Sequence, residues 1–214
     1  KRENGKYYAI VNITTTVEEL EKTGKHIGID LELKNLATLS TGQEIVNLDL
    51  THEEEMIHKY QRKLNRQKYM SNNYKKTLQK YYKWLNRKNN KIQNAYHQLS
   101  KYLVRNYDII AMEDLNIKGM FKNKKWAPKL QRISLYKLVK MIKYKAEWYK
   151  KTFIQIDRFY PSSQLCNNCG YQKHDLTLGI REWTCPVCKT KHNRDINASK
   201  NILQKAIQEN IVNS

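Results

Sequence analysis

The chain has 214 residues, with 40 Lys and Arg against 20 Asp and Glu, which gives a formal net charge of 40 − 20 = +20. A charge of this size favours a polyanionic partner, because each phosphate that a basic side chain neutralises releases counterions. The alternative is a protein whose lysine-rich faces are simply solvated. No apolar run approaches the roughly 20 residues that span a bilayer, so we expect no membrane partner.

The first residues show no signal-peptide pattern, which favours a reducing, cytoplasmic compartment, with nucleoid association when the protein is bound to DNA. The chain begins with Lys1 on a strand-like pattern, and we expect that it is an N-terminally truncated product. The β-forming residues over 6–13, extended through 14–16, predict the closing strand of a domain that precedes the chain. We assign residues 1–24 to this remnant and a linker.

Three successive strands and a helical region follow. The segment 26–31 (HIGIDL) predicts an apolar strand that carries Asp30, and 37–40 with 44–47 predict a hairpin. Thr51 begins a pattern that fits a capping box, and apolar residues recur at intervals of three and four over about 51–105.

The helical region contains two polar clusters, 71–73 and 86–90, which predict breaks and therefore two or three antiparallel helices. The apolar face of these helices indicates core. The basic face is either solvated or contacts phosphates.

The segment 108–112 (DIIAM) predicts a buried parallel strand that ends at Glu113. The loop 116–129 is basic and holds one Trp, so it either follows a nucleic-acid backbone or is an ordinary mobile loop. Further elements are a helix over 133–148, a strand over 153–157 and a terminal helix over 196–207. The candidate nucleic-acid contacts are Lys118, Lys122, Lys124, Lys125, Trp126 and Arg194.

All four cysteines form two Cys-x-x-Cys pairs, Cys166/Cys169 and Cys185/Cys188, separated by fifteen residues. In a reducing compartment this spacing predicts a four-thiolate zinc site, and four protein ligands leave no open position for catalysis. We therefore expect one structural zinc ion. Two nearby histidines, His174 and His192, are expected to be surface residues.

Three acids lie where an α/β sheet presents side chains for chemistry: Asp30 on a strand, Glu113 at a strand end and Asp195 at a helix start. Three such carboxylates can hold two divalent metal ions about 4 Å apart, and Mg²⁺ favours carboxylates together with substrate phosphates. Each acid also has a plainer interpretation: Asp195 as a helix cap, Glu113 as a solvated strand end and Asp30 as a turn residue.

Several segments, in order, resemble the RuvC-type nucleases of the OrfB/TnpB family of transposon proteins. GIDLELKNLATLSTG (28–42) resembles the first nuclease motif, and MEDLNIKGM (112–120) resembles the second. The third motif, with its embedded zinc ribbon, is matched by KYKAEWYKK (143–151), FYPSSQLCNNCGY (159–171), WTCPVC (183–188) and NRDINASKNIL (193–203).

The resemblance implies an α/β fold with an RNase H-like (RuvC) mixed sheet, a helical insertion and an embedded four-cysteine zinc ribbon. It implies a nuclease core over 25–160, a ribbon over 161–192, and a final motif with the C-terminal helix over 193–214. The implied activity is Mg²⁺-dependent DNA cleavage directed by a guide RNA. Asp30, Glu113 and Asp195 would bind two Mg²⁺ ions.

The chain departs from the family pattern at three places. The family usually has Gly where this chain has Glu32, and an anion there could add a metal ligand, crowd the scissile phosphate or repel it. Asn193 stands where an acid is common. The N-terminal helical lobe and wedge-like barrel are missing apart from one strand. Two alternatives therefore stay open: a guided protein that binds without cleaving, and a zinc-ribbon DNA-binding factor. Oligomeric state is not predicted.

Overall fold

The structure is a computed structural model. It describes residues 2–3, 6–32, 35–115, 134–177 and 179–212. The basic residues and Trp126 of the predicted loop 116–129 lie outside this part of the chain. The protein forms two compact units, one made of Lys1–Thr16 and Leu48–Gln98, the other of Val17–Asn47 and Leu99–Ser214.

The first unit begins with strands β1 (Arg2–Glu3) and β2 (Lys6–Tyr7), which pair antiparallel. The prediction of a strand over 6–16 is wrong beyond Tyr7, because residues 8–16 have no regular structure. Their apolar side chains are exposed, Ile10 at 73% and Ile13 at 80%. A β-prone run becomes a strand when another strand satisfies its backbone groups, and β-propensity alone does not supply one.

Helix α1 spans Thr51–Asn65 and helix α2 spans Asn72–Asn106. The predicted break near 71 is confirmed, but the break over 86–90 is wrong, since α2 runs through it. Asn costs a helix only about 0.7 kcal/mol relative to Ala, and α2 contains neither Gly nor Pro. Burial of Ile92 and Tyr96 on one face outweighs that cost.

The predicted capping box at Thr51 is wrong. Leu50 is the N-cap of α1, and its apolar side chain accepts no hydrogen bond from the helix amides. The Thr51 amide instead donates to Asp49 Oδ1 at 3.0 Å. In a capping box the Thr51 hydroxyl would accept from the Glu54 amide, but that amide already donates to the Leu50 carbonyl at 2.9 Å.

Part of the basic face of α2 pairs with acids of α1 inside the first unit. The buried Glu53 carboxylate lies 3.3 Å from Arg87 Nε and 3.3 Å from Lys91 Nζ. Lys88 Nζ lies 2.9 Å from Glu54. These cations neutralise protein carboxylates, which reduces the positive charge that this part of α2 offers to phosphates.

The second unit is built on a five-stranded mixed sheet with the order β5-β4-β3-β6-β7. The central strand β3 (His26–Leu31) pairs antiparallel with β4 (Ala37–Leu39) and parallel with β6 (Ile109–Glu113). At the two edges lie β5 (Glu44–Ile45) and β7 (Thr152–Ile156). The hairpin and the parallel strand predicted from sequence are confirmed.

Two helices pack on this sheet: α3 (Leu135–Trp148) contacts β7, and α4 (Arg194–Val212) contacts β3, β4, β6 and β7. The predicted terminal helix is confirmed and is longer at both ends than expected. A small sheet of β8 (Glu182–Thr184) and β9 (Lys191–Asn193) leads into α4. None of the helices described here is both long and apolar enough to be a membrane span.

Gly28 allows α4 to lie directly on β3. A Cβ atom at this position would lie 2.0 Å from the Ser199 carbonyl oxygen and 2.8 Å from Leu203 Cβ, both on α4. Successive side chains of a strand point to opposite faces, so Asp30, two residues after Gly28, projects on the face that α4 covers. The close helix–strand contact therefore brings the first turn of α4 towards Asp30.

Candidate active site and metal centres

The three acids identified from sequence line one cavity of about 410 Å³ in the second unit. Ile29 of β3 is in register with Met112 of β6, so Asp30 and Glu113 follow side by side at the same edge of the sheet. Parallel strands end at the same edge, and the loops there commonly build the sites of α/β proteins. Asp195 reaches this cavity from the first turn of α4.

The Asp30 carboxyl group has an unfavourable environment for its charge. Burial raises its pKa well above the usual value, and the neighbouring Glu32, Asp195 and Glu113 raise it further. The cation of Arg194 lowers it by a smaller amount. Several carboxylates around one buried carboxyl group are costly in the absence of a cation, a pattern common at functional sites.

Glu32 belongs to the tightest group of acids in this site. Among the residues that the structure describes, one carboxylate oxygen each from Asp30, Glu32 and Asp195 lie within 4.8 Å of one another. Glu113 is not a member of this group and lies elsewhere on the cavity wall. The resemblance predicts that Gly is usual at this position, so Glu32 adds to the acid cluster a carboxylate that the resemblance does not predict.

The Glu32 carboxylate is held from two sides. The buried Thr38 hydroxyl donates to Oε1 at 2.6 Å, and Arg181 Nη1 lies 3.4 Å from Oε2. The same Arg181 nitrogen donates to Asp195 Oδ2 at 2.5 Å. Burial raises the pKa of Glu32, the Thr38 hydrogen bond lowers it and Asp195 raises it again. Arg181 thus supplies the positive charge that links two of the acids.

Glu113 lies at the end of β6, where the buried Ser162 hydroxyl is 3.5 Å from its Oε2. Burial raises the pKa of Glu113 to about 7, while Ser162 lowers it and Asp114 raises it. The next residue, Asp114, forms an ion pair with Arg158 on the exposed side. Sequence analysis did not single out Ser162, although it lies in the matched segment 159–171 just before the first Cys-x-x-Cys pair.

Asp195 is not the cap of its helix. The side chain of Asn193 takes that role, since its Oδ1 accepts hydrogen bonds from the amides of Asp195 at 3.0 Å and Ile196 at 3.1 Å. The carboxylate of Asp195 is therefore free to point at the other acids. This arrangement gives a physical reason for a short amide side chain at position 193.

Arg194 lines the same cavity, and its Nη1 donates to the Thr177 carbonyl at 3.2 Å. It is the one sequence-predicted nucleic-acid contact within the described residues. Its guanidinium lies close enough to the acids to influence Asp30.

The donor set of the acid cluster fits a hard divalent cation. Magnesium binds oxygen ligands at about 2.1 Å, so opposite ligands on one ion are about 4.2 Å apart. Three carboxylate oxygens within 4.8 Å of one another approach this spacing. Small side-chain rotations would be sufficient to place them around one ion.

The four cysteines come together as the sequence predicts, and their sulfur atoms lie within 4.8 Å of one another. The Cys166–Cys188 and Cys169–Cys185 sulfur pairs are each separated by 3.5 Å. Two sulfurs on a tetrahedral zinc ion, each at about 2.3 Å, are about 3.8 Å apart. The cluster is therefore compatible with zinc, and all four cysteines are free of disulfides.

The two histidines differ. His174 is exposed, as expected, whereas His192 is half-buried, so its assignment as a surface residue is wrong. Its Nε2 lies 3.0 Å from Cys166 Sγ, and its ring packs 4.8 Å from that of Trp183. His192 on β9 faces Trp183 on β8 because the two residues are paired in register. Burial lowers the pKa of His192.

Two protein-family models match the chain. The first, OrfB_IS605, described as a probable transposase, covers residues 9–124, more than half of the sequence. The second, the Cas12f1-like TNB domain, covers residues 136–202. The second model spans the four cysteines and Asp195, and the first spans Asp30 and Glu113.

Named relatives agree with these models. A Streptomyces pristinaespiralis protein named "Putative RNA-guided DNA endonuclease" is 34% identical over 200 residues, which are 93% of this chain and 50% of that protein. The TnpB-like protein L79 of Acanthamoeba polyphaga mimivirus is 25% identical, covering 95% of this chain and 41% of that protein. The chain thus spans about half the length of these relatives or less.

Among solved structures, the chain is similar in fold to the protein in a Cas12f1–sgRNA–target DNA complex. The TM-score is 0.59 at 16% identity, with 87% of this chain and 51% of that one covered. At this identity the likeness concerns the fold alone. The chain belongs to the OrfB_IS605 family of TnpB-type transposon proteins, as shown by the family model that matches more than half of its residues and by the similarity to the named relatives.

Proposed function

We propose that the second unit is the metal-dependent DNA-cleaving core, RuvC-like in fold, of a TnpB-like RNA-guided endonuclease. The observation that carries this proposal is the meeting of Asp30, Glu113 and Asp195 in one cavity. They come from two parallel strands and a helix that are far apart in sequence. Acids that repel one another are retained together where a cation is to be bound.

In this proposal the three acids would hold two Mg²⁺ ions, which would supply Lewis-acid activation of water and charge stabilisation at the leaving oxygen of the phosphodiester. Asp30, which is influenced by all the other acids, lies at the centre of the site. Ser162 orients Glu113, Asn193 frees Asp195 from helix capping, and Arg194 adds a cation beside the position of the substrate phosphate.

We assign one zinc ion to Cys166, Cys169, Cys185 and Cys188. The ribbon core supports a structural role, because Trp183 and Leu176 pack with Cys166 and Cys185 in a separate small cluster. So small a cluster cannot bury enough apolar surface to fold by itself, and a metal ion supplies the missing free energy. The ribbon would order the segment that leads into α4.

The proposed partners are target DNA and a guide RNA. The names of the relatives support both, as does the solved complex of the structurally similar protein. The net charge of +20 supports binding to the phosphate backbone. An RNA–DNA hybrid would be recognised mainly through its backbone and shape.

The test is cleavage of supercoiled plasmid in Mg²⁺, with guide RNA supplied in a second series, by wild type and by Asp30→Ala, Glu113→Ala and Asp195→Ala. Asp175→Ala is the matched control, since Asp175 is an exposed acid that pairs with Lys173 on the ribbon. We expect cleavage by wild type and the control, and a loss of at least a hundredfold in the other three. Equal cleavage by wild type and Asp30→Ala would assign the activity to a contaminant and refute the proposal.

The second candidate is a guided or zinc-ribbon protein that binds DNA without cutting it. The Arg181 bridge favours it, because a guanidinium already neutralises Glu32 and Asp195. The same assay with Glu32→Gly separates the two: if only this variant cleaves, the wild-type chain is a binder disabled by Glu32.

A further inference from the structure

A ladder of asparagine residues joins helix α4 to the loop 162–167, which contains the first cysteine. We call Asn167, Asn197 and Asn201 the asparagine ladder. Asn197 and Asn201 lie four residues apart, on one face of α4, and each is only 2% exposed. Buried amides are costly unless they are hydrogen-bonded, so their partners fix their geometry.

The ladder satisfies donors and acceptors on both sides. The backbone N–H of Asn167 donates to Asn197 Oδ1 at 3.0 Å, and the side-chain Nδ2 of Asn167 donates to Asn201 Oδ1 at 3.1 Å. In the other direction, Asn197 Nδ2 and Asn201 Nδ2 donate to the Leu165 carbonyl at 2.6 and 2.7 Å. Asn201 Nδ2 also donates to the Ser162 carbonyl at 2.7 Å.

The loop held in this way touches both metal centres. At its beginning Ser162 contacts Glu113. At its end Cys166 belongs to the four-cysteine cluster, directly before Asn167. The helix held by the same ladder carries Asp195, two residues before Asn197. A change in the loop would therefore alter the position of Asp195 relative to Glu113.

We propose that the asparagine ladder positions the acids and couples the four-cysteine centre to them, so that an intact ribbon sets the affinity of the acid cluster for divalent metal. This inference rests on the proposed function for the role of the acids. The ladder residues touch neither metal nor substrate, and they act through Glu113 and Asp195. Residues that orient metal ligands typically change metal affinity by 10- to 100-fold when they are removed.

The primary test compares Asn167→Ala with Asn106→Ala. Asn106 is an exposed residue of the same type whose side chain donates to the Tyr102 carbonyl at 2.7 Å at the end of α2, so it serves as the matched control. Mn²⁺ is the probe, because it takes the same oxygen ligands as Mg²⁺. Free Mn²⁺ is measured by electron paramagnetic resonance on zinc-loaded protein, with zinc content and melting temperature recorded for each variant.

We expect Asn167→Ala to bind Mn²⁺ about tenfold more weakly, with one zinc ion retained, while Asn106→Ala stays within about twofold of wild type. Unchanged Mn²⁺ affinity in Asn167→Ala overturns the inference. If Asn167→Ala loses zinc or folds poorly, Gln204→Ala replaces it. Gln204 is exposed and accepts one hydrogen bond from Asn167 Nδ2 at 3.2 Å, so a smaller loss of affinity in the same direction is expected.

A second measurement does not depend on the acids binding metal. Amide hydrogen exchange of Asp195 and Ile196 is followed in wild type before and after a mercurial reagent removes zinc. We expect both amides to exchange faster after the zinc is removed. Unchanged exchange rates would overturn the proposed coupling. Wild type that binds no more Mn²⁺ than Asp30→Asn contradicts the proposed function instead. The exchange measurement, repeated on Asn167→Ala, then still decides whether the ladder contributes to the coupling of ribbon and helix: a response to zinc removal equal to that of wild type would exclude it.

Discussion

Arg181 Nη1 lies 2.5 Å from Asp195 Oδ2, so a cation from the ribbon segment occupies the edge of the acid cluster. The side chain is 44% exposed, which makes this an ion pair of modest strength. Its position matters more than its strength, because a divalent ion and the guanidinium compete for the same carboxylates.

Replacing Arg181 should strengthen divalent-metal binding. Loss of an exposed ion pair worth up to about 1 kcal/mol corresponds to a roughly two- to fivefold increase in the affinity of Arg181→Gln for Mn²⁺. Lys173→Gln, which removes a cation from an exposed pair elsewhere on the ribbon, should leave the affinity unchanged. Weaker binding in Arg181→Gln would mean that the guanidinium orders the acids rather than competing for them.

Removing one acid should stabilise the metal-free protein. Burial and three neighbouring acids raise the pKa of Asp30, so its ionised form opposes folding at neutral pH. Asp30→Asn should therefore increase the free energy of unfolding by about 1–2 kcal/mol in chelator, the usual gain when a strained functional group is neutralised. Chemical denaturation at pH 7 measures this free energy of unfolding. The same substitution at Asp175 should have no effect, and destabilisation by Asp30→Asn would contradict the repulsion argument.

Asp108 should stabilise the fold in a pH-dependent manner. Burial alone would raise its pKa, but hydrogen bonds from Lys151 Nζ at 2.6 Å and from the amides of Thr23 and Gly24 lower it to about 2. A depressed folded-state pKa stabilises the protein above the unfolded pKa of about 3.9, and this contribution disappears as the pH falls towards the folded value.

Asp108→Asn should consequently cost about 2 kcal/mol at pH 7, and the difference from wild type should shrink as the pH falls from about 5 to about 2. Urea denaturation at several pH values is the measurement. A difference that stays constant with pH would show that the carboxylate charge is not the source of the stability.

Gly28→Ala should separate α4 from β3. The new methyl group would lie 2.0 Å from a backbone oxygen of α4, which cannot move aside as a flexible side chain could. We expect a loss of at least about 3 kcal/mol. Gly179→Ala is the control, since a Cβ there meets nothing within 4 Å. Thermal unfolding measures the stability of both variants. A Gly28→Ala variant as stable as wild type would contradict the close contact between α4 and β3.

Local patterns in the sequence were sufficient for much of the fold. The six-residue apolar strand at His26–Leu31 and the four cysteines follow directly from residue type and spacing, because strand formation and tetrahedral ligation are short-range requirements. The sequence predicted a break at 86–90, whereas α2 continues through these residues. The low helix propensity of Asn costs little free energy compared with the gain from burying the apolar face of the helix. The capping box predicted at Thr51 was wrong because the helix begins one residue earlier than expected, with Leu50 as the N-cap, and Asp49 accepts the hydrogen bond from the Thr51 amide.

The sequence by itself determined the candidate chemistry: an excess of cations, a four-thiolate centre and three acids at the ends of predicted elements. The tertiary structure alone decided which groups meet. It brought Glu32 into the closest group of acids, set Arg181 across two of them, and joined the ribbon to α4 through amides. Such contacts join residues separated by up to 165 positions in the sequence, as for Asp30 and Asp195 (195 − 30), and depend on how helix and sheet pack. No local pattern of charge or hydrophobicity encodes that distance.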